Sequence, residues 1–94
     1  MEVLVFMQEG CSVCKELRQI LKPIDREGYI YIDDVKVQVV YNNDLLKSYG
    51  GNSTPYTVFL KDGKMIWSEK GVYSKELLKD RIRQLKEGSL TKSV

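Results

Sequence analysis

Apolar positions along the chain follow two rhythms. Residues 3–7 (VLVFM) form a short, continuous apolar run rich in β-formers, which predicts a strand buried on both faces. Gly10 interrupts the run. Beyond it Leu17, Ile20, Leu21 and Ile24 fall at i, i+3, i+4 and i+7, one stripe of a helix. Pro23 lies inside that stripe, so the helix kinks there or ends near it.

The stretch 29–41 carries two β-rich pieces, YIYI and VKVQVV, with Asp33-Asp34 as a break between them. Both read as strand; residues 35–41 are predicted as the central strand, and 29–32 stay undecided. Asn42-Asn43-Asp44 offers N-cap chemistry to a short helix carrying Leu45, Leu46 and Tyr49, which Gly50-Gly51 stops. Residues 56–61 and 64–68 are β-rich and separated by Asp62-Gly63, a hairpin signal because such a turn needs positive φ. Ser74 can cap a last helix with Leu78, Ile82 and Leu85 on one face, ending at Gly88. The predicted order is β-α-β-α-β-β-α. It is an α/β domain over residues 1–88: a right-handed parallel βαβ unit, then a hairpin and closing helix, in a single mixed sheet with helices on both faces. Residues 89–94 read as a frayed tail.

With 94 residues, 43% of them apolar, the chain supports one domain and one modest core. No run approaches the ~18 apolar residues of a membrane span. The opening MEVLVFMQEG has an acid and no basic segment before a short apolar run, which predicts no secretory signal and a cytoplasmic location. Fifteen Lys and Arg against thirteen Asp and Glu leave a net charge of +2. The cations after Lys75 alternate with acids, the mark of a solvated helix face, so no nucleic-acid partner is expected. The chain has no histidine, which excludes Ser-His-Asp and Cys-His catalysis, His-ligated metal and an imidazole base.

The two cysteines, Cys11 and Cys14, form C-S-V-C directly between the first strand and the first helix. A CxxC pair beside a βα unit is a redox signal. Cys11 falls at the helix N-terminus, where free amides and the positive end of the dipole stabilise a thiolate and bring a thiol pKa from ~8.5 towards ~3.5–7.5. Lys15 and Arg18 add in the same direction and Glu9 opposes them. Cys14 stands three residues before Leu17 and continues the apolar stripe, so it points inward and Cys11 is the exposed member. That asymmetry makes Cys11 the attacking nucleophile and Cys14 the resolving thiol. Competing readings are two inert core cysteines, half of a zinc or iron–sulfur site shared between two chains, and a structural disulfide closing a very small ring.

Four segments together resemble the thioredoxin and glutaredoxin superfamily across about residues 2–86. They are C-S-V-C followed by Lys15; Y-G-G-N-S-T-P at 49–55, similar to the stretch leading into the cis-proline loop; P-Y-T-V-F-L-K-D-G-K at 55–64, similar to the strand and hairpin turn; and Gly71-Val72-Tyr73-Ser74-Lys75, similar to the entry into the last helix. The resemblance implies a thioredoxin fold and a cis Pro55 facing the cysteine pair. A cis Pro55 would leave the Thr54 backbone free to pair with an extended substrate segment and its hydroxyl within reach of the thiols. It also implies a thiol-disulfide oxidoreductase acting on protein disulfides, with no bound cofactor, an external reductant (thioredoxin reductase with NADPH, or glutathione) and a monomeric state. Glutaredoxin-like turnover of glutathione mixed disulfides and a redox-inactive peptide-binding module are the alternatives.

The departures from the family pattern are local. Gly10 stands where thioredoxins have Trp, and Ser12-Val13 replace Gly-Pro, so these two join Lys15 and Glu9 as candidates for tuning the thiolate. Residues 3–7 hold no buried acid to take the proton of Cys14, and Glu9 is the candidate substitute. Residues 70–75 lack the Gly-Gly and acid pair with which glutaredoxins hold glutathione.

Overall fold

A computed structural model describes residues 1–21, 28–70 and 74–88. The order is β1 (Glu2–Phe6), α1 (Ser12–Ile20), β2 (Tyr29–Ile32), β3 (Val35–Val40), α2 (Asn43–Ser48), β4 (Tyr56–Lys61), β5 (Lys64–Lys70) and α3 (Lys75–Glu87). The strands form one five-stranded sheet, β2-β3-β1-β4-β5. β1 runs parallel to β3, with Val3 beside Val37, and antiparallel to β4, with Val3 beside Phe59. The expected parallel βαβ unit and closing hairpin are therefore present.

Two points differ from the expectation. The central strand is β1, not β3. The continuous apolar run of β1 is the reason, since both its faces are covered: Val3 and Val5 pack on one side, Leu4 and Phe6 on the other. The undecided residues 29–32 are an edge strand, antiparallel to β3 with Ile32 beside Val35. The turn between them places Asp33 and Asp34 at φ 51° and 65°, left-handed conformations that Asp tolerates because its short side chain bonds locally.

The helices divide between the two faces. α1 and α3 cover one, where Cys14, Leu17, Leu21, Leu78, Ile82 and Leu85 pack with Val3 and Val5 of β1, with Val35, Val37 and Val39 of β3 and with Phe59. α2 covers the other with Leu46, against Leu4, Phe6, Val58 and Leu60. The predicted caps are in place: Asn42 Oδ1 accepts from Leu45 N–H and Ser74 Oγ from Leu77 N–H, both at 3.0 Å, and Gly88 closes α3 at φ 74°. Buried Gly51 follows α2, and a Cβ there would collide with the side chains of Leu46 and Tyr56. The Ile20 side chain, Pro23, Ile24, the 71–73 portion of the last family-like segment, and the 89–94 tail lie outside the described residues. Among the described residues no helix is long and apolar enough to cross a membrane.

Candidate active site

β1 ends at Phe6, and Met7 N–H still donates to Val40 carbonyl at 3.0 Å before the chain leaves the sheet. Gln8, Glu9 and Gly10 then turn it into α1, with Gly10 at φ 75°, where a side chain would strain the backbone. Cys11 follows in extended conformation as the N-cap of α1. Its Sγ accepts the backbone N–H of Cys14 at 3.2 Å, in the place a Ser or Asp oxygen usually takes. The sulfur therefore meets an unsatisfied amide at the positive end of a helix whose first turn holds no acid.

Cys11 and Cys14 are joined in a disulfide, with Cα atoms 5.2 Å apart. Cys14 is 2% exposed, packed with Leu17 and Leu21, whereas Cys11 is half-buried at the surface. Ser12, Val13 and Lys15 are exposed around the pair. Among the described residues the buried polar side chain is that of Thr57, and no carboxylate is buried. Glu9 is exposed but lines the same cleft as both cysteines, a hollow of about 300 Å³ that also takes in Lys15, Arg18 and Tyr41. There Arg18 Nη1 donates to the Tyr41 hydroxyl at 3.0 Å and the guanidinium lies 5.9 Å from the ring centroid.

The segment before Pro55 also meets Cys11. The Thr54–Pro55 bond is cis and Pro55 is buried. The Thr54 carbonyl oxygen lies 3.7 Å from Cys11 Sγ. In the disulfide that sulfur has no proton to give; the reduced thiol does. The Thr54 hydroxyl, expected near the thiols, donates instead to Gln8 Oε1 at 3.2 Å, since an amide oxygen is a better acceptor than sulfur. Gln8 Nε2 in turn donates to Asn43 Oδ1 at 2.9 Å. Sequence reasoning missed Gln8, 35 residues from Asn43 and 46 from Thr54, and Tyr41, 23 from Arg18; such separations leave no local signal.

A larger groove, about 630 Å³ along α3 beside Asp33, shares no residue with the disulfide cleft. Its wall carries Lys79, Arg83 and Lys86 among Glu76, Asp80 and Glu87, charges of both signs with no nucleophile. Among the described residues no group of three or more His, Cys, Asp or Glu could hold a metal ion.

Comparisons with known proteins agree with this fold. Residues 2–86 match the family model of the thioredoxin-like domain. The thioredoxin of Bacillus subtilis (strain 168) is 29% identical over 79 residues, spanning 84% of this chain and 76% of that protein. Among solved structures, a mutant thioredoxin from Halobacterium salinarum NRC-1 superposes with a TM-score of 0.69 at 23% identity, covering 99% of this chain and 76% of that one. Thioredoxin 1 from Thermosipho africanus TCF52B does so with 0.64 at 20% identity, covering 95% and 98%. With its mixed sheet, its Cys-x-x-Cys disulfide at the start of α1 and a family match over nearly its whole length, the chain belongs to the thioredoxin-like family.

Proposed function

We propose that this protein reduces protein disulfides through a Cys11–Cys14 dithiol cycle. The observation that carries the reading is the placement of Cys11 Sγ: capping α1, bonded to Cys14 N–H, and half-buried at the surface beside the Thr54 carbonyl. In the reduced protein the Cys11 thiolate attacks one sulfur of the substrate disulfide, forming a mixed disulfide and releasing the other sulfur as a thiol. Cys14, deprotonated, then attacks Cys11 Sγ and releases the second substrate thiol. The two electrons gained by the substrate come from the dithiol, which ends as the disulfide.

Glu9 is the candidate acceptor for the Cys14 proton, being the acid that shares the cleft with it. Thr54 and Pro55 offer backbone to an extended substrate segment. Ser12, Val13 and Lys15 stand around Cys11 as tuning positions. The cycle needs no bound cofactor. The dithiol is restored by a reductase with NADPH or by glutathione, in a monomer working in a reducing compartment such as the cytoplasm.

A second reading, turnover of glutathione mixed disulfides, draws on the cleft beside the disulfide, where Lys15 and Arg18 could meet a small anionic thiol. The deciding experiment measures reduction of a protein disulfide twice, with NADPH and thioredoxin reductase and with glutathione and its reductase. Turnover with the first system supports the proposal; turnover only with the second supports glutathione. No turnover of the wild type with either system would mean that the fold serves only to hold a peptide.

A further inference from the structure

Gln8 is exposed, yet both ends of its amide are engaged. Its oxygen takes the Thr54 hydroxyl and its nitrogen reaches Asn43, the first residue of α2. This relay joins the loop before the cysteines, the segment before Pro55 and a helix on the far face of the sheet. We propose that Gln8 is a positioning residue: by holding Thr54 it sets where the Thr54 carbonyl stands against Cys11 Sγ, and so the thiolate fraction of Cys11 in the reduced protein. The inference rests on the exchange chemistry proposed above.

Two backbone groups address Cys11 Sγ with opposite polarity. The Cys14 N–H, at 3.2 Å, stabilises a thiolate. The Thr54 carbonyl, at 3.7 Å, turns its negative end towards the sulfur; it accepts from a thiol and repels a thiolate. That separation is already at the long limit for a sulfur hydrogen bond, so movement of Thr54 away from it weakens the brake. The titratable groups in the cleft facing the pair are Glu9 from the loop, Lys15 and Arg18 from α1 and Tyr41 after β3. None of them takes part in the relay's hydrogen bonds. A freed Thr54 therefore leaves more thiolate at neutral pH. Since a stabilised thiolate stabilises the reduced form, the disulfide becomes more oxidising.

The test uses the reduced full-length chain. The readouts are the pH profile of iodoacetamide alkylation at Cys11, followed by peptide mass, and the dithiol–disulfide equilibrium in glutathione buffers. Gln8→Ala and Thr54→Val are expected to raise the alkylation rate at pH 7 roughly two- to fivefold, the reach of one modest hydrogen bond, and to shift the equilibrium towards the dithiol. Thr54→Ser, which keeps the hydroxyl, returns the wild-type profile. The double variant shows no more than the single ones, because both cut one relay. Asn43→Ala, remote from the sulfur, moves the profile in the same direction and guards against a local folding defect at Thr54. Unmoved profiles in Gln8→Ala and Asn43→Ala, or additive shifts in the double variant, overturn the proposal. Neither readout needs a protein substrate. A wild type that reduces no protein disulfide, with a Gln8→Ala profile that still moves, would sink the functional reading and leave the positioning role standing.

Discussion

The backbone N–H of Cys14 donates to Cys11 Sγ at 3.2 Å, so the buried cysteine supplies, through its main chain, the amide that favours charge on the half-buried one. Inequivalence of the two thiols follows from that bond together with the burial of Cys14 against Leu17 and Leu21.

In the reduced protein, iodoacetamide should modify Cys11 at least about tenfold faster than Cys14 at pH 7, because the cap lowers one thiol and burial raises the other. The Cys11 reaction should already run below pH ~8.5, the ordinary thiol value. Peptide mass spectrometry after a timed quench reads both sites. Equal rates would remove the basis for calling Cys11 the nucleophile.

Cys14→Ser should trap the substrate as a stable mixed disulfide on Cys11, whereas Cys11→Ser should trap nothing, since attack requires the exposed sulfur. Intact mass after incubation with a protein disulfide shows the adduct or its absence. An adduct on Cys14 in the Cys11→Ser protein would reverse the assigned roles.

Gly51→Ala should lower stability by about 1–3 kcal/mol, the usual cost of forcing extra atoms into a packed site. The new Cβ meets Leu46, which is buried under the sheet and carries α2 against it. A lower urea midpoint at unchanged slope is the expected result.

Asp34→Val should cost about 1–2 kcal/mol, because a β-branched residue is strained at the φ of 65° this turn requires. Asp34→Asn, equally suited to the left-handed region, should leave the midpoint where it is. Similar losses in both variants would place the cause in the charge rather than the backbone.

Ile82→Ala should be the most damaging of these stability changes, about 2–5 kcal/mol, since Ile82 is 0% exposed in the core between α3 and the sheet. Thermal or urea unfolding measures it directly.

Elements with local causes were legible in the chain. Asn42 and Ser74 cap the helices they were expected to cap, Asp62 and Gly63 turn at φ 53° and 80°, and the Leu78-Ile82-Leu85 stripe is buried. The edge strand β2 was only half legible: YIYI is strand-like, yet undecided from the chain alone. Its turn uses Asp33-Asp34 in place of a glycine-bearing pair, and only four residues alternate, with Tyr29 and Tyr31 56% and 65% exposed and Ile30 and Ile32 turned to the core, a run too short to decide the element alone. It forms because β3 offers an edge to pair with.

The sequence by itself determined the cysteine spacing, its position at a strand-to-helix turn and the lack of any histidine, because each depends on neighbours along the chain. Tertiary structure decided what surrounds the sulfur. The Thr54 carbonyl reaches Cys11 across 43 residues, and the Thr54 hydroxyl reaches Gln8 across 46. Those contacts exist only because β4 lies antiparallel beside β1, with Tyr56 opposite Phe6, which brings the start of one strand to the end of the other. Residues so far apart in sequence carry no mark of their pairing; the sheet register supplies it.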